Sequence, residues 1–173
     1  MNGCKRLVDV GRRQFLSGGA AVAAGAATAL ASREAEARLT GARVAYPRTR
    51  LANVGDLVLD QPLDVGYPDA DSPCVLIKLG RAVPGGVGPA SDIVGFSILC
   101  PHKGFPLAYV AADKTLNCPG HYSRFDCEKA GMQIWGQATQ NLPQLELVVD
   151  AQGDIHATGV DELIYGRLSN VLA

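Results

Sequence analysis

Cys100-Pro-His102 and Cys118-Pro-Gly-His121 place two thiols and two imidazoles in two short runs, with fifteen residues between His102 and Cys118. The chain has three histidines, and two of them lie within three residues of a cysteine. Two thiolates and two imidazoles make a complete four-donor metal site. Two fillings suit that donor set. One is a single tetrahedral zinc ion, which accepts two sulfurs and two nitrogens. The other is a [2Fe–2S] cluster with both cysteines on one iron and both histidines on the other. Zinc fingers group like ligands, CxxC and then HxxxH. Here each run supplies one Cys and one His, as expected if each loop touches both irons. Pro and Gly wrap both runs, leaving backbone N–H groups free to meet cluster sulfurs.

These residues resemble the Rieske iron–sulfur family. Cys100, His102 and Gly104 match its first ligand loop, and Cys118, His121 and Ser123 match the second. The resemblance implies a mostly β fold: an antiparallel β-sandwich with a small cluster-binding subdomain over about residues 96–139. It implies Cys100, His102, Cys118 and His121 as the ligands of a Rieske-type [2Fe–2S] cluster. Ser123 keeps a hydroxyl that can bond a bridging sulfide. Lys103 sits between ligand and glycine and is expected to be exposed, where it could orient a partner. Three departures concern the surroundings of the cluster. Respiratory-complex members tie the two loops by a disulfide; Phe105 and Gly120 stand at those positions. Phe125 stands where those members have a tyrosine that bonds a ligand sulfur. Gly136-Gln-Ala-Thr139 replaces the Gly-Pro-Ala-Pro loop that covers the cluster in many members.

An oxidised cluster of two Fe³⁺, two sulfides, two thiolates and two neutral imidazoles sums to zero charge. It accepts an electron more readily than an all-thiolate cluster, which places the family at about −150 to +300 mV. Without the tyrosine hydroxyl, a potential below the high-potential members is expected. All iron bonds are filled, so the site is a relay without a place for substrate.

Within the family, four stretches are similar to the small subunit of bacterial arsenite oxidase: Cys100–Leu107, Asn117–Asp126, Gln133–Gln144 and Asp161–Leu172. The likeness runs from about Val44 to the terminus. It implies a large molybdopterin and iron–sulfur catalytic subunit as partner. It also implies a periplasmic cytochrome c or copper protein as electron acceptor, with membrane contact at most peripheral. The competing placement is a membrane-anchored cytochrome bc1-type respiratory complex.

The N-terminal 37 residues read as a targeting segment. Cys4-Lys5-Arg6 and Gly11-Arg12-Arg13-Gln14-Phe15-Leu16 precede an Ala/Gly-rich apolar run, residues 18–31. Basic head, apolar middle and small residues describe export, and Arg-Arg-x-Phe-Leu resembles a twin-arginine signal. Cleavage could follow Ala31 or Ala37. The alternative is a retained anchor, although the run is shorter than the ~20 residues a membrane span needs. That route exports folded cargo, which suits a protein loaded with a cluster before transit. Residues 38–173 then form one periplasmic domain. The first 31 residues take four of the 16 basic and one of the 17 acidic side chains, leaving 12 against 16. Such a mildly acidic body gives no sign of a nucleic-acid partner.

Along the rest of the chain, Thr40–Arg50 reads as an extended arm. Leu57–Leu59, Val65, Cys74–Leu79, Ile93–Leu99 and Met132–Trp135 read as strands. The Ile93–Leu99 strand is expected to end directly on Cys100. Leu107–Val110 with Thr115–Asn117, and Leu145–Val149 with Asp154–Ala157, read as hairpins. The tail from Asp161 is apolar for a terminus. It either docks a partner or folds back on its own sheet. Cys74 and Cys127 are left over and open to pairing in an oxidising compartment. Trp135 is expected in the core or an interface. His156 is expected to be a satisfied strand or surface histidine.

Overall fold

The computed structural model describes residues 45–171. The expected export signal and the anchor alternative lie outside the described residues. Among those described, no helix is long and apolar enough to cross a membrane.

The chain is mostly β, as expected. In chain order the strands are β1 (Thr49–Asn53), β2 (Leu63–Gly66), β3 (Pro73–Lys78), β4 (Ile93–Ser97), β5 (Ala108–Val110), β6 (Thr115–Asn117), β7 (Arg124–Asp126), β8 (Met132–Trp135), β9 (Leu145–Val149) and β10 (Asp154–Val160). They form three antiparallel sheets, ordered β1-β10-β9, β2-β3-β4 and β5-β6-β7-β8.

The middle sheet organises the other two. β3 reads Pro-Cys-Val-Leu-Ile-Lys, an unbroken apolar run where a one-sided strand would alternate. Such a run marks a strand buried on both faces. Cys74 and Leu76 point into one apolar cluster, with Ala52, Leu145, Leu147, Ile155 and Ala157 of the first sheet. Val75 and Ile77 point into the other, with Leu116, Phe125, Cys100, Cys118 and Leu142. Gly95 of β4 is small where Leu145 crosses, since a methyl group there would stand 2.9 Å from the leucine Cδ1. The first two sheets therefore make the sandwich, and the third packs on the outer face of the second to carry the ligand loops.

Both expected hairpins form, as β5-β6 and β9-β10. Three local expectations change. Leu57–Leu59 is not a strand. Asn53 caps a 3₁₀ turn at Val54–Asp56, its side chain accepting from Gly55 N–H, and Leu59 makes only an isolated bridge to Lys78. β4 stops at Ser97 rather than running into Cys100, although Ile98 N–H still bonds Pro73 C=O at 3.1 Å. β7 went unread because only Phe125 of Arg-Phe-Asp is buried, too short a pattern to show a period.

Cys74 and Cys127 do not pair. Both are free and buried, and they sit in different apolar clusters on opposite faces of the middle sheet. Burial pushes each thiol up to about 12. The tail folds back on its own body. Ile164 is buried, and Arg167 grips Asp69 with two bonds of 2.7 and 2.8 Å. His156 bonds Asp150 at 3.0 Å, the satisfied histidine expected.

Candidate metal centre

Each ligand loop is a six-residue frame closed by two backbone hydrogen bonds. Cys100 N–H donates to Phe105 C=O at 2.9 Å and Gly104 N–H donates to Cys100 C=O at 2.8 Å. In the second loop Cys118 N–H donates to Ser123 C=O at 2.8 Å and Tyr122 N–H to Cys118 C=O at 3.1 Å. The spacings are identical, five and four residues. The fifth residue of each frame is left-handed, Gly104 at φ 69° and Tyr122 at φ 59°. Glycine meets that demand freely; a tyrosine does so at a cost of about 1–2 kcal/mol. The histidine is the third residue of one frame and the fourth of the other, so the loops are near copies offset at the imidazole.

The two frames bring the four donors together in two pairs. Cys100 and Cys118 are buried in the same apolar cluster, and the neighbouring Cys118 thiol helps to push the Cys100 thiol up. The His102 and His121 rings meet edge to face with centroids 4.8 Å apart. Among the described residues no three His, Cys, Asp or Glu side chains gather as they would about one ion. A sulfur pair inside and an imidazole pair outside suit a cluster of two metal nuclei, one held by each pair. His102 Nδ1 is the one buried side-chain polar atom among the described residues without a hydrogen-bond partner. Leaving such an atom unpartnered costs about 1–3 kcal/mol, which a metal bond at that nitrogen would remove. Burial pushes the Cys100 thiol up, while the backbone N–H groups of His102 and Lys103, aimed at its sulfur, oppose that. A thiol of this kind ionises when a metal brings its charge.

The residues expected around a cluster lie as follows. Ser123 is fully buried, and its Oγ accepts from the backbone N–H groups of Gln137 and Ala138 at 3.0 Å each. With both lone pairs used, the hydroxyl proton is left to donate. Gly136 has φ 97°, and any side chain there would run into the Ser123 backbone. The stretch that stands in place of the proline-rich loop is thus sewn to the second ligand loop. Phe125 is fully buried beside Cys100 and Cys118 in the apolar cluster. Phe105 packs where the disulfide would be: a methyl group on Gly120 would lie 2.9 Å from its ring, which also meets His121 edge-on with centroids 5.9 Å apart. Lys103 is exposed.

Of the two places expected for Trp135, the core is excluded: the residue is 68% exposed and, with Tyr122, lines a cleft of about 240 Å³ against Asn117, Cys118 and Arg124. The Tyr165 ring of the tail lies against Gly104 in the first loop. The tail is apolar in sequence, but nothing in its pattern tells which residue meets the loop.

Residues 52–158 match the Rieske [2Fe-2S] domain family. Iodate reductase subunit IdrB of Denitromonas iodatirespirans is 42% identical over 164 residues, covering 92% of this chain and 85% of that protein. Its counterpart in Pseudomonas sp. (strain SCT) is 41% identical over 160 residues, covering 90% and 81%. Among solved structures, the soluble domain of the Rieske protein II (soxF) from Sulfolobus acidocaldarius gives a TM-score of 0.60 at 26% identity, covering 66% of this chain and 78% of that one. With the donor set, the sheets and these likenesses in agreement, the chain belongs to the Rieske [2Fe–2S] family.

Proposed function

We propose that this chain is the electron-transfer subunit of a periplasmic oxidoreductase, with Cys100, His102, Cys118 and His121 holding its cluster. The observation that carries the ligand assignment is the pairing of donors, buried thiols together and imidazoles together, with an unpartnered His102 Nδ1. When bound, the cluster supplies one-electron chemistry within the potential range of its family. The protein's part is to hold and insulate it. The two frames fix the thiols, N–H groups of the first loop address the Cys100 sulfur, and Ser123 offers a hydroxyl proton. Phe125 keeps water from the sulfur side. His121 stands exposed, which leaves a short path for an electron to a docked partner. No open coordination position is left for substrate, so substrate chemistry belongs to a second subunit.

The resemblance to arsenite oxidase makes that subunit a large molybdopterin and iron–sulfur protein. In that reading arsenite is oxidised to arsenate, and the released electrons leave through this chain to a cytochrome c or copper protein. The two relatives of 42% and 41% identity bear the name iodate reductase, which favours a second reading. There electrons enter through this chain and are consumed in reducing iodate. Both use the same relay; the direction differs. The packing of Phe105 on Gly120, where respiratory-complex members have a disulfide, weighs against a cytochrome bc1-type placement. Export by the twin-arginine route rests on residues 1–37. Replacing Arg12 and Arg13 by lysine is expected to leave the protein in the cytoplasm on fractionation.

The deciding experiment purifies the complex from its host. It compares arsenite-dependent reduction of cytochrome c with iodate-dependent oxidation of a reduced dye. His102→Ala is expected to lose the mixed-ligand signal in the reduced-state EPR spectrum and whichever activity the wild type shows. A wild-type chain without acid-labile sulfide would sink the proposal.

A further inference from the structure

We propose that the tail, residues 161–171, is a latch that holds the first ligand loop in its ligating shape, with Tyr165 as the positioning residue acting through Gly104. The inference rests on reading Cys100 and His102 as ligands and goes beyond it.

The tail is moored to the sandwich body at several points. Asp161 Oδ1 accepts from Gln144 N–H at 2.7 Å at the start of β9. Arg167 makes its two-bond grip on Asp69, in the turn before β3. Buried Asn170 accepts from Ile164 N–H at 2.8 Å, and its Nδ2 donates to Tyr46 Oη at 2.9 Å and to Glu162 C=O at 2.8 Å. These bonds fix the segment whether or not Tyr165 touches anything. Ile164 supplies its core contact, being 1% exposed. Tyr165 points elsewhere. It is 39% exposed, and its ring lies where a Gly104 side chain would be, with Cδ1 2.6 Å from a methyl group built there.

Gly104 is the left-handed corner of the first frame, and its N–H closes that frame onto Cys100 C=O. Lys103, before the corner, is exposed, and Phe105, after it, leans on Gly120 and His121 of the second loop, so the corner itself has no support of its own from the tail side. The tyrosine ring supplies that outer wall. On the other side of the site, Gln140 Nε2 donates to Leu163 C=O at 3.4 Å, tying the tail to the segment that Gln137 and Ala138 sew onto Ser123. One strap thus touches the first loop and the neighbour of the second. Opening the first loop requires Gly104 to move, and the ring stands in its way.

The test uses the full chain purified with its cluster. Tyr165→Ala is expected to release iron to a chelator roughly tenfold faster and to shift the g-values of the reduced cluster. Tyr165→Phe should behave as wild type, since the contact is made by ring carbons. Arg167→Ala, which touches neither ligand loop, should speed release in the same direction by loosening the strap. Gly104→Ala should accelerate release strongly in the wild-type background and much less when combined with Tyr165→Ala, because the collision is gone and only the φ penalty stays. Additive effects at 104 and 165, or a Tyr165→Ala protein with wild-type release rate and g-values, would overturn the latch alone. A wild-type chain with no mixed-ligand signal would overturn the cluster reading and the latch with it.

Discussion

Ser123 shows how much one small side chain can hold. Its Oγ takes two backbone N–H groups of the stretch after β8 and still has a proton to give. Ser123→Ala leaves both donors without an acceptor in a buried place, an expected loss of about 1–3 kcal/mol, read as a lower Tm of the cluster-loaded protein. Gly136→Ala should cost more, because the new side chain meets the Ser123 backbone and adopts φ 97°. Phe125→Tyr puts a hydroxyl into the apolar cluster that holds Cys100 and Cys118. A bond from it to a ligand sulfur would stabilise the reduced state, so a redox titration should give a higher potential than wild type. The two Cys-His runs that carry the proposed ligands were legible at this scale because metal ligation dictates residue type and leaves short spacings in the chain. The contact of Tyr165 with Gly104 was not. It joins positions sixty-one residues apart, and a tyrosine ring can pack on many surfaces.

Among the elements, the hairpins were legible because each closes over a short turn with polar or glycine residues between apolar flanks. β7 was hidden by length, and Leu57–Leu59 was misread because a capping asparagine won over β-branched content. The apolar tail left two outcomes open; Arg167 and Asp69 decide between them. The Arg167 guanidinium hydrogen-bonded to Asp69, helped by Ser72, holds the Asp69 carboxyl down at about 2. A lowered folded value means the grip favours the native state above the ordinary carboxylate range, near pH 4, and is lost as the pH falls through about 2. Since Asp69 is solvent-accessible, screening keeps the effect under about 1 kcal/mol. Asp69→Asn is therefore expected to remove a small stability increment at pH 7 and to leave stability at pH 2 nearly unchanged, measured by denaturant unfolding at both pH values. A second cross-element tie acts at the opposite corner. Asp60 accepts from Tyr109 Oη at 3.0 Å and pairs with Lys114, joining the chain ahead of β2 to the β5-β6 hairpin.

At the scale of the whole molecule, the sandwich with a small subdomain was legible from the family resemblance, but the resemblance suggests a more separable pair of parts than the structure has. Val75 and Ile77 of β3 belong to the apolar cluster beneath the ligand loops, while Cys74 and Leu76 of the same strand belong to the sandwich. Excising residues 96–139 would strip β3 from under the loops, and the fragment is expected to stay unfolded by circular dichroism even with iron and sulfide supplied. Ile77→Ala should destabilise the entire domain by about 2–5 kcal/mol, seen as a single transition at lower Tm rather than early melting of the ligand loops.

The doubly buried middle sheet also bears on manufacture. A polypeptide whose redox half and scaffold half share one wall has no partly finished form that could receive its inorganic centre early and complete the remainder at leisure. Assembly must wait until strands as distant in the chain as those of Ala52 and Ile155 have paired in the first sheet and packed on Leu76 of the second. Metal insertion then becomes a checkpoint on completed folding rather than a step within it.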